Sequence, residues 1–249
     1  MAESLKDLRR RVRSVGNIRK ITRAMEMVAA AKLRRAQGVL MAARPYAAKL
    51  QELLAHLSQG SLLAQHPLFQ ERPPHGGPER KILVIFTADR GLNGSFNTNI
   101  IKKTEDLLKS EPATQWQLIC VGKKGRDYFQ RRKWPIIESV LGLKGQANSD
   151  EAKRIGKLLV EKYLSGEADR VLLVYSQFIS TVVYKPTIAQ YLPMTAEALG
   201  LQKHERGSGP ELDYIMEPSP EAVLNALLPR FLQSKIYITM AEVTTSEHS

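Results

Sequence analysis

The first forty or so residues restrict this chain more than any other stretch. From Ser4 through at least Arg44 there is no proline, and Gly16 and Gly38 are the only glycines. Seam positions recur at Leu5, Leu8, Val12, Val15, Ile18, Thr22, Met25 and Ala29, in steps of three and four. That spacing predicts one helix whose seam lies lengthwise on a partner helix. At about 1.5 Å of rise per residue it spans roughly 60 Å. A compact chain of 249 residues has an expected radius of gyration of roughly 18 Å, so the helix has to protrude from its own globule.

The charge follows the helix. Up to Leu40 there are eleven Lys/Arg against Glu3, Asp7 and Glu26, a net +8 out of +12 for the whole chain. A clustered cationic surface raises a nucleic-acid reading. Against it, the charges encircle the helix and no aromatic side chain precedes Tyr46 to stack on bases. A solvated coiled-coil face is the plainer alternative. An Arg-rich start also imitates an organellar transit peptide, but Glu3 and Asp7 and the uninterrupted seam argue against one.

Arg44-Pro45-Tyr46 interrupts the pattern, which Tyr46, Ala47, Leu50, Leu53, Leu54 and Leu57 resume. A kink or local break is expected at Pro45, then helix to about Ser58. The chain thus divides into a long helix (1–58), a Pro/Gly-rich linker (59–80), an α/β domain (81–217) and the start of a second long helix (218–249).

Within the α/β part, buried strands are expected at 81–87, 117–121 and 170–175, and helices at 95–109, 124–132 and 148–164. This alternation means a mainly parallel sheet with crossover helices. A further strand over 181–192 contains Pro186, which lacks a ladder donor, and is expected at an edge. Residues 200–217 are polar. Ser219-Pro220-Glu221 then gives an N-cap and a first-turn proline, opening a helix with Pro229 as its one fault. It runs to Ser249 without a breaker, as if stopped in mid-helix.

With 43% hydrophobic and 25% charged residues the chain is globular. No apolar run approaches the ~20 residues of a membrane span, so a soluble, intracellular protein is expected. The single cysteine, Cys120, lies in the apolar run Leu118-Ile119-Cys120-Val121 and is expected to be a buried strand thiol.

The loop from Thr87 to Ser95 follows the first strand and opens a helix, where a doubly wound fold binds phosphate. Gly91-x-x-Gly94 matches neither the dinucleotide fingerprint nor a phosphate loop. A glycine turn with Ser95 as helix cap is expected instead, with no nucleotide. His56, His66, His75, His204 and His248 lack metal-ligand spacing, and no catalytic grouping stands out. No catalytic, cofactor or metal residue is therefore assigned.

The run Ile18-Arg19-Lys20-Ile21-Thr22-Arg23-Ala24-Met25-Glu26-Met27-Val28-Ala29-Ala30-Ala31-Lys32-Leu33, with Ala43-Arg44-Pro45-Tyr46, closely resembles the N-terminal helix of the gamma subunit of F-type ATP synthases. The similarity continues through Thr87-Ala88-Asp89-Arg90-Gly91-Leu92-Asn93-Gly94, Glu217-Pro218-Ser219-Pro220 and Ser246-Glu247-His248. It implies a rotor. Two long antiparallel helices would form a coiled-coil shaft inside the ring of alpha and beta subunits, carried by a Rossmann-like domain on the c-ring beside the epsilon subunit.

The resemblance further implies torque transmission coupling proton flow to ATP synthesis. The protein would sit peripherally on the cytoplasmic side of a bacterial membrane, with no catalytic site or cofactor of its own and no nucleic acid. Arg19, Lys20, Arg23, Met25, Lys32, Arg34 and Arg35 would face the alpha/beta ring, where acidic beta-subunit loops suit a cationic shaft. Asp89, Arg90, Gly91 and Gly94 would form a turn of the platform. The chain departs from the family by ending where members continue for roughly forty more residues of helix, a stretch that normally fills the upper bore of the ring. It also lacks the inserted cysteine pair that makes chloroplast relatives redox-regulated. The alternatives are a basic coiled-coil nucleic-acid binder and a nucleotide-binding α/β module.

Overall fold

A computed structural model describes residues 4–57, 62–72, 76–143, 145–195 and 216–249. A single helix, α1, runs from Leu5 to Leu57, about 80 Å at 1.5 Å per residue. It continues through Pro45, so the local break expected there does not form. Pro45 lies on the exposed face, where the carbonyl left without its amide partner meets water, which lowers the cost of the missing bond.

The segment expected to be linker is partly structured. A short helix α2 (Leu62–Gln65) is followed by a turn, and Leu63 and Leu68 are buried in the main core. The Arg72 guanidinium donates to the carbonyls of Tyr163 and Leu164 at the end of a helix.

The sheet contains β1 (Arg80–Phe86), β2 (Gln115–Val121), β3 (Ile136–Val140), β4 (Arg170–Ser180) and β5 (Val183–Leu192). Their spatial order is β3-β2-β1-β4-β5. The first three pairings are parallel and β4–β5 is antiparallel. β5 is an edge, as its proline requires. The other edge, β3, was not anticipated; only Val140 of its five residues is buried, so it lacks the continuous apolar run of an inner strand. Cys120 is fully buried in β2, and burial pushes its thiol up to about 12.

Three helices cross between strands: α3 (Phe96–Ser110), α4 (Lys123–Arg131) and α5 (Ser149–Leu164). Asn148 caps α5 by accepting from the amides of Asp150 and Glu151. The cap expected from Ser95 on α3 is absent: its side chain accepts from the Asn99 amide and lies 3.4 Å from the Tyr184 hydroxyl.

The last helix, α6 (Pro220–His248), starts as the sequence indicates, with the Ser219 side chain accepting from the Ala222 amide. It runs antiparallel to α1, with Arg44 reaching Glu242 at 3.5 Å and Leu40 packing on Ala241 and Phe178. More than half a coiled coil, α6 is a core layer. It packs against β4, α5 and α1 together, and every residue from Thr239 to Ser246 is buried. The Tyr191 hydroxyl donates to the Leu232 carbonyl from the sheet side. The polar residues 196–215, where the redox insert of chloroplast relatives would fall, lie outside the described residues.

Candidate functional site

The two groups of residues singled out by the sequence occupy different places. Every described residue from Ser4 to Lys32 is exposed. Seam residues that a partner helix would cover stand in solvent: Leu5 is 74% exposed, Val12 71% and Met25 55%. Arg19, Lys20, Arg23 and Met25 lie on this bare arm, and among the described residues no ion pair links any of the four to the rest of the chain. The register expected from helix lengths brings the second helix back to about Val28. The structure places Glu247 and His248 beside Lys32, one turn short of that.

Arg34 and Arg35 remain exposed at the root of the arm, while Ala36 and Leu40 are the first side chains buried against α6. The site therefore has two parts: a cationic apolar arm and the joint where it meets the body.

The joint is built on the loop after β1. The Asp89 carboxylate accepts from the Lys123 amide at the start of α4 (3.0 Å) and from the Gly142 amide after β3 (3.0 Å). The C-terminal end of β1 is where this topology holds a dinucleotide phosphate. Here the chain's own carboxylate takes the N-terminus of α4, the helix after the neighbouring strand β2. The loop is closed by Asn97, whose side chain accepts from the Ala88 amide (2.9 Å) and donates to Asn93 (3.0 Å). Gly94 adopts φ +54°, which suits glycine, and Leu92, at φ +66°, is 98% exposed at the tip.

Sequence reasoning missed two residues that make the joint possible. Gly122 has φ +102°, and a Cβ there would lie 2.0 Å from the Thr87 carbonyl oxygen; a Cβ on Gly125 already stands 2.9 Å from the Thr87 hydroxyl. That hydroxyl accepts from the Gly125 amide at 2.9 Å. The readable signal was Gly122-x-x-Gly125 directly after a strand.

The end of α6 lies over the same loop. A cavity of about 30 Å³ separates Glu247 from Asp89 and Gly122. Burial raises the Glu247 carboxyl above its ordinary range; the Asp89 charge adds to the rise, while Lys32 and Arg90 oppose it. Burial lowers His248, and Lys32 lowers it further. Lys32, Asp89 and Arg90 thus lie within electrostatic reach of Glu247, whereas Arg19, Lys20, Arg23 and Met25 stand up to about 20 Å from Lys32 along α1.

Two charged groups of α6 were not anticipated. Glu242 is buried beside Arg44, and its carboxyl is raised by burial against the opposing guanidinium. Burial lowers Lys235 to about 8. No group of three or more His, Cys, Asp or Glu with the spacing of a metal site occurs among the described residues.

A family model described as ATP synthase matches residues 4–249. The ATP synthase gamma chain of Pelotomaculum thermopropionicum is 39% identical over 246 residues, 99% of this chain and 83% of the relative. That of Moorella thermoacetica is 42% identical, covering 98% and 82%. A cryo-EM structure of the central stalk and c-ring of Tetrahymena thermophila mitochondrial ATP synthase aligns with TM-score 0.66 at 25% identity, over 92% of this chain and 94% of that one.

Proposed function

The chain belongs to the ATP synthase family, among its gamma chains, and from that premise we propose that it is a central-stalk rotor whose bare arm turns against the catalytic head. The observation that carries this reading is the arm itself, a stretch of α1 some 40 Å long that keeps apolar seam and cationic flanks together in solvent. Exposing this much apolar surface is unfavourable unless a partner helix along the seam, with a sleeve around both, covers it, and acidic loops lining that sleeve would meet the cations.

In this reading Arg19, Lys20, Arg23, Met25, Lys32, Arg34 and Arg35 face the alpha and beta subunits. The body of β1–β5 and α3–α6 sits towards the c-ring and epsilon subunit, on the cytoplasmic side of a bacterial membrane. The chain transmits torque and has no catalytic site of its own. Leu40 packed on Ala241 and Arg44 paired with Glu242 hold the arm's root to the body so that rotation of one moves the other; Asp89, Arg90, Gly91 and Gly94 act as structure within the body.

The test is assembly. Co-expressed with alpha and beta subunits of a relative, the tagged chain is expected to recover both, with about one copy for three pairs. Arg19→Glu/Lys20→Glu/Arg23→Glu is expected to lower recovery several-fold without changing the fold. Recovery of the tagged chain alone, or with nucleic acid in place of the subunits, would contradict the reading.

A further inference from the structure

A groove runs along the body from α5 up to the root of the arm. Along the outer face of α6 three cavities adjoin. The lowest, about 560 Å³, lies between α6 and α5 over Ala226, Pro229, Leu232, Val160 and Leu68. The middle one, about 300 Å³, lies where Ala43 and Tyr46 of α1 face Gln233 and Tyr237. The highest, about 320 Å³, is bounded by Ala36, Val39, Ala147 and Ala241. Arg230 and Gln233 line both the first and second cavities, and Tyr237 both the second and third. Together they follow α6 from Ala226 to His248, about 33 Å at 1.5 Å per residue.

The groove exists because α6 carries small or stemless residues there. Ala226 and Pro229 are exposed, and the proline removes a backbone donor without adding bulk. Its floor is apolar and its rim cationic. Lys32, Arg35, Lys153, Lys157 and Arg230 line it, and Glu161, paired with Lys157 at 3.7 Å, is the one carboxylate among the described lining residues.

We propose that this groove docks an amphipathic helix of about 20 residues from an acidic partner protein. The length matches the groove, the apolar stripe would cover Leu68, Val160, Ala226 and Leu232, and flanking carboxylates would meet the rim. The walls are helices with no unpaired strand edge, so an extended segment would find no ladder to join. The surplus of cations selects an acidic helix over a basic one. Lys32 and Arg35 at the upper end also belong to the set assigned to the head; Lys153, Lys157 and Arg230 do not, and the proposal as carried by these three does not depend on the rotor reading.

The experiment uses the whole 249-residue chain and a fluorescein-labelled peptide of about 20 residues, with Leu at i, i+3, i+4 and i+7 and Glu on both flanks, followed by anisotropy at about 0.1 M salt. Saturable binding is expected, weakening at least 10-fold in Lys153→Glu/Lys157→Glu/Arg230→Glu and in Ala226→Trp, which fills the floor. All four substituted positions are exposed, so thermal melts like the parent's are expected. Arg19→Glu/Lys20→Glu/Arg23→Glu on the arm should leave the affinity within about two-fold. Absence of saturable binding, equal binding of the peptide with Lys in place of Glu, or loss of binding on reversing the arm charges would each overturn the proposal.

Discussion

Residues 5–32 and 36–57 of α1 carry apolar side chains at the same helical spacing, yet Leu5 is 74% exposed and Leu40 and Leu54 are 0% exposed. The backbone does not distinguish the two stretches; the neighbour does. Where α6 and the sheet back the helix, each buried leucine contributes about 1.5 to 3 kcal/mol. Where they do not, helicity rests on continuity with the seated half and on residue preference. A helix can therefore be specified along its whole length by sequence while only residues 36–57 are backed by α6 and the sheet.

The largest effect that could break this contrast comes from truncating one leucine on each side. Leu54→Ala is expected to cost about 2 to 5 kcal/mol in urea unfolding, as a cavity opens in a filled core. Leu8→Ala should stay within about 0.5 kcal/mol. A comparable loss at Leu8 would mean the arm packs on its own chain.

Charge sharpens the contrast next. A lysine on the arm is solvated, whereas burial on α6 lowers Lys235 to about 8. The folded state holds that proton less tightly than the unfolded chain, so stability falls as pH drops from about 10.5 to about 8, and the full penalty is present below 8. Lys235→Met is expected to raise stability by about 3 kcal/mol at pH 7, the gain vanishing above about pH 10.5. Lys20→Met should change nothing at either pH. Urea midpoints at pH 7 and pH 10 decide.

The smallest expected effect concerns backbone preference. Gly16 has open space around a would-be Cβ, so Gly16→Ala should favour the arm helix by up to about 1 kcal/mol. It should slow amide exchange near residue 16 while leaving the global unfolding midpoint unchanged. A shift in that midpoint would join the arm to the cooperative core.

Much of this contrast could be read in advance. The seam, the two long helices, the buried strands and the edge position of the Pro186 strand follow from periodicity and from the donors a residue has or lacks. What escaped depends on tertiary neighbours. β3 is half-exposed and has no apolar run. Pro45 looks like a breaker until its exposed side is known. Gly122 matters because Thr87 comes within contact, and α6 is buried at every residue from Thr239 to Ser246, polar ones included, because three elements surround it. At the joint, Asp89 was visible only as part of a turn; its bonds to Lys123 and Gly142 join segments 34 and 53 residues apart.

The central claim is that the bare half of α1 acts through the head it turns in. In a reconstituted complex, Met25→Lys places a cation on the exposed seam, adding about 1 to 3 kcal/mol of interaction with an acidic loop that differs between rotary angles. ATP hydrolysis and ATP-driven proton pumping, measured on the same vesicles, test this most directly. Hydrolysis is expected to survive while protons pumped per ATP fall several-fold. An unchanged ratio of pumping to hydrolysis in Met25→Lys would contradict it.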